Sequence, residues 1–585
     1  MQVSRILTIK EQYLPEMMLI FQSSLYLGIF LNIPTFLQKY YFVEGGGGSL
    51  FAADVFFSVS AAALLLSALA VFGRRVLLAG IIGFILLSVV ASYYMWFFDV
   101  VIGYGVIQAV FGTELSLIVE SMGFGLLAFV CLFGILPVYL LQRFSSKYVA
   151  PWATFLVPRL LCLALVVVGL TFLNIYYKTF REPMADARMP ANPIGVATFS
   201  YVPINLVSAA LISVANARVN SQLQGRLIDP TDRYGFYPEI PLDDLFVVVV
   251  IGESARYDHM SLMDYDIETT PLLDKEPNVV GLKGASCNTS TKLSLACMFV
   301  REGGVFERGS PSQQYVYENN VFSVLKKLGF SSDVFAMQSE AGFYARLDAD
   351  RVKIREQIGA EASRKGIAVI DDMLLVEQMH RSILQKRGQH LVVLHQKGSH
   401  FNYASRYPVE FSKYKPDCKH LHCNSEAMIN SYDNSIAYTD YFLFSLLEKL
   451  RDKKALLLYA SDHGESLENG KHFHASPKET APEEQFNIPV IMWASDTLLE
   501  DALFAQGYAA LRRQAAKGTI VRQVEIFESL LGCMGIKSDR QGIRHRNNWC
   551  SVESTLAAVS SEGLIPGTIL DYIAVTKGGG LLTFD

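Results

Sequence analysis

The chain has 585 residues, 51% of them hydrophobic and 18% charged, with a formal net charge of −5. Its length allows several domains, and its apolar fraction exceeds that of an ordinary soluble enzyme. No dense Lys/Arg tract occurs, so the charge pattern gives no support for a nucleic-acid partner.

The apolar excess is concentrated before residue 180. A helix needs about 20 apolar residues to cross a bilayer, and five stretches meet that need, at 16–38, 53–73, 76–98, 121–142 and 155–177. The first follows Arg5 and Lys10, is too long for an ordinary signal peptide and has no evident small-residue cleavage site. Arg74 and Arg75 lie between the second and third stretches, and Arg143 and Lys147 between the fourth and fifth. The alternate loops hold only Lys39 with Glu44, and Asp99 with Glu114 and Glu120. Basic loops stay in the cytoplasm. Residues 1–180 are therefore expected to form a five-span helical domain with the N-terminus inside and everything after residue 178 outside.

Residues 181–243 read as a junction. Pro183, Pro190, Pro193 and Pro203 mark irregular chain, and 202–219 mixes apolar residues with Asn205, Asn216 and Arg218. That stretch is too short and polar to span. A helix lying at the membrane surface and a buried helix of the next domain both suit it.

The third segment, 244–585, reads as an α/β domain. The valine-rich run 245–251 has the continuous apolar character of a strand buried on both faces. Similar runs occur at 390–394, 455–459 and 488–493, with helical patterns between them at 319–328 and 435–450. Such alternation predicts a mainly parallel central sheet. Cys131 and Cys162 fall in apolar runs. The other six cysteines form local pairs, Cys287/Cys297, Cys418/Cys423 and Cys533/Cys550. Local even pairing suggests disulfides in an oxidising compartment, which agrees with the topology; free thiols are the alternative.

In parallel sheets, ligands bind at the carboxyl ends of the strands. Glu253 follows the 245–251 run, and Asp462 and His463 follow the 455–459 run. Oxygen and nitrogen donors without thiolate suit zinc or manganese. Each donor alone reads as a cap or loop residue; the three together read as a metal site. Thr291 lies between Cys287 and Cys297, ahead of a segment able to open a helix whose N-terminus faces an anion. A bound cation would make its hydroxyl a usable nucleophile. His400, in Lys397-Gly-Ser-His, and His474 suit three roles: binding substrate phosphate, protonating a leaving oxygen, or holding a second metal.

These residues resemble a known family. G-E-S at 252–254, C-x-T-x-T-x5-C at 287–297, K-G-S-H at 397–400, N-S-Y-D-N at 430–434 and S-D-H-G-E-S at 461–466 are similar to the motifs of bacterial lipopolysaccharide phosphoethanolamine transferases. Those are inner-membrane enzymes of the alkaline-phosphatase/sulfatase superfamily. Thr291-Lys-Leu-Ser-Leu, Cys297-Met-Phe-Val-Arg-Glu-Gly-Gly, Met337-Gln-Ser-Glu, Asp371-Asp-Met-Leu-Leu-Val and Asn547-Asn-Trp-Cys550 look most like the branch that modifies Kdo sugars of the inner core. The resemblance covers almost the whole length.

It implies a multi-pass inner-membrane enzyme with a periplasmic sulfatase-like domain, moving phosphoethanolamine from phosphatidylethanolamine to Kdo2-lipid A. It implies zinc held by Glu253, Thr291, Asp462 and His463, with Thr291 as the covalent acceptor and His400 and His474 nearby. It also supports disulfides at 287–297 and 418–423; the 533–550 pair rests on spacing. Lipid A-modifying relatives carry an Asn and a Lys in the loop that here spans 337–346. This chain has no lysine there; either Arg346 substitutes for that charge, which makes it a candidate substrate contact, or the acceptor site differs. A Thr-Asn/Asp-x-x-Glu element of the relatives is kept in part as Thr113-Glu114-Leu-Ser, so Glu114 is the second candidate substrate contact. A monomer is expected. The competing readings are transfer to a lipid A phosphate or another core sugar, a glycerophosphate transferase of the lipoteichoic acid type, a phosphatase or sulfatase, and a non-catalytic membrane sensor.

Overall fold

The structure, a computed structural model, describes residues 16–41, 47–98, 124–144, 227–307, 314–418, 423–467, 473–475 and 481–552, with parts of 159–175 and 201–218. The described residues up to Val214 form one compact unit, and those from Arg218 onward form a second.

In the first unit, Glu16–Leu37, Phe51–Val71, Arg74–Phe97 and Phe124–Leu141 are helices long and apolar enough to cross a membrane. The fifth expected span lies largely outside the described residues, as does the loop carrying Glu114. Several polar groups here are paired, as a low-dielectric surrounding favours. Arg159 and Glu16 form an ion pair of 2.9 Å. The Asn32 side chain donates to Val202 O at 2.8 Å and accepts from Val202 N–H at 2.9 Å. Tyr201 donates its hydroxyl to Asp54 at 2.7 Å and packs among Phe36, Phe57 and Ala61. Within the 202–219 stretch, residues 204–211 are helical.

The second unit is built on an eight-stranded sheet. Its strands in chain order are β1 (Phe246–Gly252), β2 (Val279–Ala285), β3 (Ser331–Ala336), β4 (Arg351–Lys353), β5 (His390–His395), β6 (Ala455–Ser461), β7 (Asn487–Ala494) and β8 (Val521–Arg522). They lie side by side as β8-β2-β7-β6-β1-β5-β3-β4. Only β7 runs against its neighbours, β2 and β6; the other pairings are parallel. The sheet is therefore mainly parallel, as expected. Every residue of β1, β5 and β6 is buried, which is why these strands read as unbroken apolar runs.

Four strands carry no such signal, each for a physical reason. β2 alternates buried and half-buried positions and contains Lys283 and two glycines. β3 contains Asp333, a buried carboxylate whose Oδ2 meets Arg351, Ser382 and His390. β4 and β8 are short. The long helix Ser425–Leu450 begins ten residues before its apolar pattern does. Asn424 caps it by accepting from Ala427 N–H at 2.9 Å, and its first turns bury the polar Ser431, Asp433 and Asn434 among Ala427, Met428 and Tyr432, which breaks the apolar pattern.

Candidate active site

β1 and β6 pair in parallel with Gly252 opposite Ser461, so the residues that follow each strand leave the same edge side by side. This puts Glu253 next to Asp462 and His463. Gly252 has no room for a side chain: a Cβ there would lie 2.3 Å from the Tyr459 hydroxyl. Ser254 then turns with φ +55, a left-handed conformation that a non-glycine residue holds only when its surroundings enforce it. Here they do. Ser254 N–H donates to Asp462 Oδ1 at 3.2 Å, Ala255 N–H to Ser461 Oγ at 2.9 Å, and the Tyr432 hydroxyl to Ser254 O at 2.7 Å. The Lys397–His400 turn after β5 packs on Glu253, with Gly398 (φ +50) closing to where a Cβ would lie 2.9 Å from Glu253 O.

The third element comes from β2. It ends at Ala285, and the chain then forms the 286–290 loop and the helix α1 (Thr291–Cys297). The Cys287–Cys297 disulfide closes this segment; Cys418–Cys423 and Cys533–Cys550 are bonded as well. Thr291 opens α1, and its Oγ1 lies 3.2 Å from Glu253 Oε2 and 3.3 Å from His463 Nε2. His463 Nε2 is in turn 3.4 Å from Glu253 Oε1 and 3.3 Å from Asp462 Oδ2. The His463 Nδ1 proton goes to Gly464 O, 2.8 Å away, which leaves Nε2 with its lone pair facing the carboxylates.

The electrostatics of this cluster call for a cation. Glu253, Asp462 and His463 are fully buried. Burial, with Asp462 alongside, pushes the Glu253 carboxyl up to about 7. Burial raises Asp462 to about 6 against the pull of the Thr291 hydroxyl and two backbone N–H groups. Burial and the neighbouring His474 hold His463 down at about 4, neutral and ready to act as a ligand. Asp462 Oδ2 is buried with no hydrogen-bond partner, an arrangement that is costly unless an ion satisfies it. Potential ligand atoms of Glu253, Asp462 and His463 all fall within 4.8 Å of one another, and those of Glu253, His400 and His474 do the same.

His474 stacks on His463 with ring centroids 4.4 Å apart, and His400 meets His474 at 5.8 Å. His474 Nδ1 lies 2.9 Å from Glu465 Oε2. Burial alone would lower its pKa, but Glu465 outweighs that and raises it to about 9. Burial, with Lys397 and Arg406 near, keeps His400 well below its usual value. Arg346 ends the helix Ala341–Arg346 and lines a pocket with Leu295, Val300 and Phe343; no hydrogen bond links it to the cluster around Glu253. Sequence reasoning missed Gln338, whose amide donates to Glu253 Oε2 at 2.8 Å, although its string, Met337-Gln-Ser-Glu, stood out as a branch mark. It also missed Gln523 and Glu465, buried polar residues near no recognisable strand signal or embedded in a motif whose other members drew the attention.

Two family models match the chain, one described as Sulfatase over residues 246–536 and one as Phosphoethanolamine transferase EptA/EptB over residues 58–203. With the apolar helices and the site above, they define a membrane-embedded enzyme with a sulfatase-type domain. The chain is 39% identical over 560 residues to the Kdo(2)-lipid A phosphoethanolamine 7''-transferase of Escherichia coli strain K12, covering 92% of this chain and 98% of that protein. It is 40% identical over 550 residues to the protein of that name from Salmonella typhimurium, covering 91% and 96%. The lipooligosaccharide phosphoethanolamine transferase A of Neisseria meningitidis, an integral membrane protein, shares the fold with a TM-score of 0.76 at 23% identity, over 91% of this chain and 97% of that one. The chain belongs to the bacterial lipopolysaccharide phosphoethanolamine transferases, in the Kdo(2)-lipid A branch, and is a phosphoethanolamine transferase.

Proposed function

We propose that the protein transfers phosphoethanolamine from phosphatidylethanolamine to a Kdo sugar of lipopolysaccharide, by two displacements through Thr291. The observation that carries this reading is the Thr291 hydroxyl, 3.2 Å from Glu253 and 3.3 Å from His463 in a buried cluster whose charge calls for a cation. Glu253, Thr291, Asp462 and His463 are the residues that would hold it; a donor set of oxygen and nitrogen without thiolate suits zinc or manganese, and the family resemblance favours zinc. Such an ion supplies Lewis acidity that lowers the proton affinity of the hydroxyl and offsets negative charge on phosphoryl oxygens.

In the first displacement the Thr291 oxygen, having lost its proton to solvent, bonds to the donor phosphorus. The bond from phosphorus to the glycerol oxygen breaks, and diacylglycerol leaves with a proton from His474, the imidazole that Glu465 keeps protonated, while the neutral His400 stands beside it. Both histidines have Nδ1 engaged, by Glu465 and by Phe401 O, so Nε2 is the nitrogen each offers to substrate. In the second displacement a Kdo hydroxyl loses its proton to the same imidazole, attacks the phosphothreonine phosphorus, and returns the Thr291 oxygen. Preorganised groups around the phosphoryl oxygens carry most of the catalysis in such transfers. Glu114 and Arg346 serve this reading as substrate contacts, and a second metal between Glu253, His400 and His474 is a further option within it.

The reading divides the chain into a five-span domain to residue 180, a junction at 181–243 and a catalytic domain from 244. It places the N-terminus in the cytoplasm and the catalytic domain in the periplasm. Three disulfides in the catalytic unit and the basic loops at Arg74–Arg75 and Arg143–Lys147 support that orientation. Donor and acceptor are both lipids of one leaflet, so a monomer anchored there meets them in two dimensions. The test is expression of the wild type and Thr291→Ala in a Gram-negative host lacking its own transferases, followed by mass spectrometry of the lipopolysaccharide. Phosphoethanolamine on Kdo, lost in the variant, is the expected outcome. Addition only at lipid A phosphates contradicts the acceptor assignment, and no addition together with release of inorganic phosphate or sulfate from test substrates favours a hydrolase.

A further inference from the structure

The loop bearing Thr291 and the turn bearing Asp462 and His463 leave the sheet from strands that do not touch. β2 and β6 are separated by β7, which runs against both. Two strand spacings amount to about 10 Å, so no ladder hydrogen bond joins the two loops directly; each is tied instead to the chain at the start of β7, Ser286 N–H to Phe486 O at 2.8 Å and Gly464 N–H to Gln485 O at 2.9 Å. Their relative position nevertheless decides whether Thr291 Oγ1 meets His463 Nε2.

One side chain spans the gap. β8 pairs in parallel with the end of β2, Arg522 opposite Ala285, which delivers the next residue, Gln523, beside the start of the Thr291 loop. Gln523 is fully buried. Its Oε1 accepts from Cys287 N–H at 2.9 Å, with the Cys287 sulfur at the same distance. Its Nε2 donates to Ser461 O and to Asp462 O, each at 2.9 Å. The amide thus joins one end of the disulfide-closed loop to the backbone of the residue that precedes His463. Only an amide can do this, because the position needs one acceptor and two donors on a single planar group.

We infer that Gln523 is a positioning residue that sets the spacing between Thr291 and the Asp462–His463 turn. It acts through the two backbones and does not touch substrate. The Cys287–Cys297 disulfide makes the loop a rigid body, and Gln523 fixes where that body sits. The inference rests on the reading of Thr291, Asp462 and His463 as the reacting centre.

The test uses the full-length protein in detergent, with labelled phosphatidylethanolamine as donor. Three variants are compared with the wild type. Gln523→Leu keeps the bulk and removes the amide; Gln523→Asn keeps the amide one methylene short; Thr291→Ala checks the underlying reading. Transfer kinetics, melting temperature and zinc retention against a chelator are measured, all at a temperature where each protein is folded. Loss of a group that orients metal ligands costs about 10–100-fold in metal affinity or activity. Gln523→Leu is expected to lower kcat and zinc retention within that range while KM for the donor stays within about twofold. Gln523→Asn is expected to show the same split, and it stands as the test if the leucine variant does not fold. A lowered melting temperature with wild-type kcat and zinc retention in either folded variant overturns the inference. If Thr291→Ala still transfers, the reading of the centre fails; if it is inactive while both Gln523 variants are fully active, only the positioning role fails.

Discussion

Asp462 has the most to lose by substitution at the scale of single residues. Its Oδ1 accepts from Ser254 N–H and His463 N–H, while Oδ2 is buried with no hydrogen-bond partner. The first oxygen holds the turn and the second is left for an ion. Asp462→Asn keeps the size and one acceptor but replaces the unpartnered oxygen by an N–H₂ facing other donors. We expect that variant to lose bound zinc and to reduce transfer by about 100-fold or more, with folding retained; metal content of the purified protein and transfer rate measure it. Full metal occupancy in Asp462→Asn would remove Asp462 from the ligand set. The residues that sequence reasoning found here, Glu253, Thr291, Asp462 and His463, were legible because charged and hydroxyl groups directly follow apolar runs or sit between paired cysteines. Gln338 and Gln523 carry no such signal. A neutral amide in a loop reads as surface, and only the fold shows that its partners are Glu253 and two strand-end carbonyls.

Between elements, the sheet and the disulfide share the work of aligning the three loops. Removing the Cys287–Cys297 bond by a double Cys→Ser substitution releases a loop whose ends are 10 residues apart in sequence. The expected cost is roughly 2–3 kcal/mol of stability, together with lowered zinc retention, read by thermal unfolding and metal analysis; unchanged retention would show that the loop needs no covalent closure.

Behind α1, two of the strings that mark the Kdo branch turn out to be neighbours. Glu302, from the first, lies 2.6 Å from Arg522 and 2.9 Å from Arg544, and it accepts from the Asn547 amide of the second at 2.9 Å. The side chains of Glu302 and Asn547 contact each other and Arg522, Arg544 and Glu528, and among the described residues no hydrogen bond or ion pair links them to the cluster around Glu253. Burial alone would raise the Glu302 carboxyl, but Arg522, Asn547 and Arg544 outweigh it and hold it at about 2. A carboxyl depressed on folding contributes stability that is present above its unfolded value of 4.5 and is lost as pH falls toward 2. Glu302→Gln should therefore melt lower than the wild type at neutral pH, by an amount on the order of 2–3 kcal/mol. The gap should close across that acid window. A gap that persists unchanged at low pH would show that packing, not charge, is what the substitution removes.

For the whole molecule, composition alone separated an apolar N-terminal third from an α/β remainder, because lipid and water impose different solvents on one chain. Strands β1, β5, β6 and β7 were legible since each is buried throughout, save Asn487 at the start of β7, and β2, β3, β4 and β8 were not, being partly exposed, polar or short. The cost of that blindness falls on the site, because β2 delivers Thr291 and β8 delivers Gln523. What the sheet order adds is the reason the site exists where it does: adjacent parallel strands β1 and β6 bring two carboxylates and an imidazole to one edge, and a loop from beyond β7 brings the hydroxyl. The central claim is that this hydroxyl carries the transferred group. Full-length protein incubated with phosphatidylethanolamine labelled in its headgroup, without acceptor, and then digested for peptide mass spectrometry, tests it most directly. Phosphoethanolamine on Thr291, discharged when Kdo2-lipid A is added and absent from Thr291→Ala, is the predicted result. Transfer to Kdo2-lipid A that proceeds in Thr291→Ala, with no labelled peptide in the wild type, would contradict it.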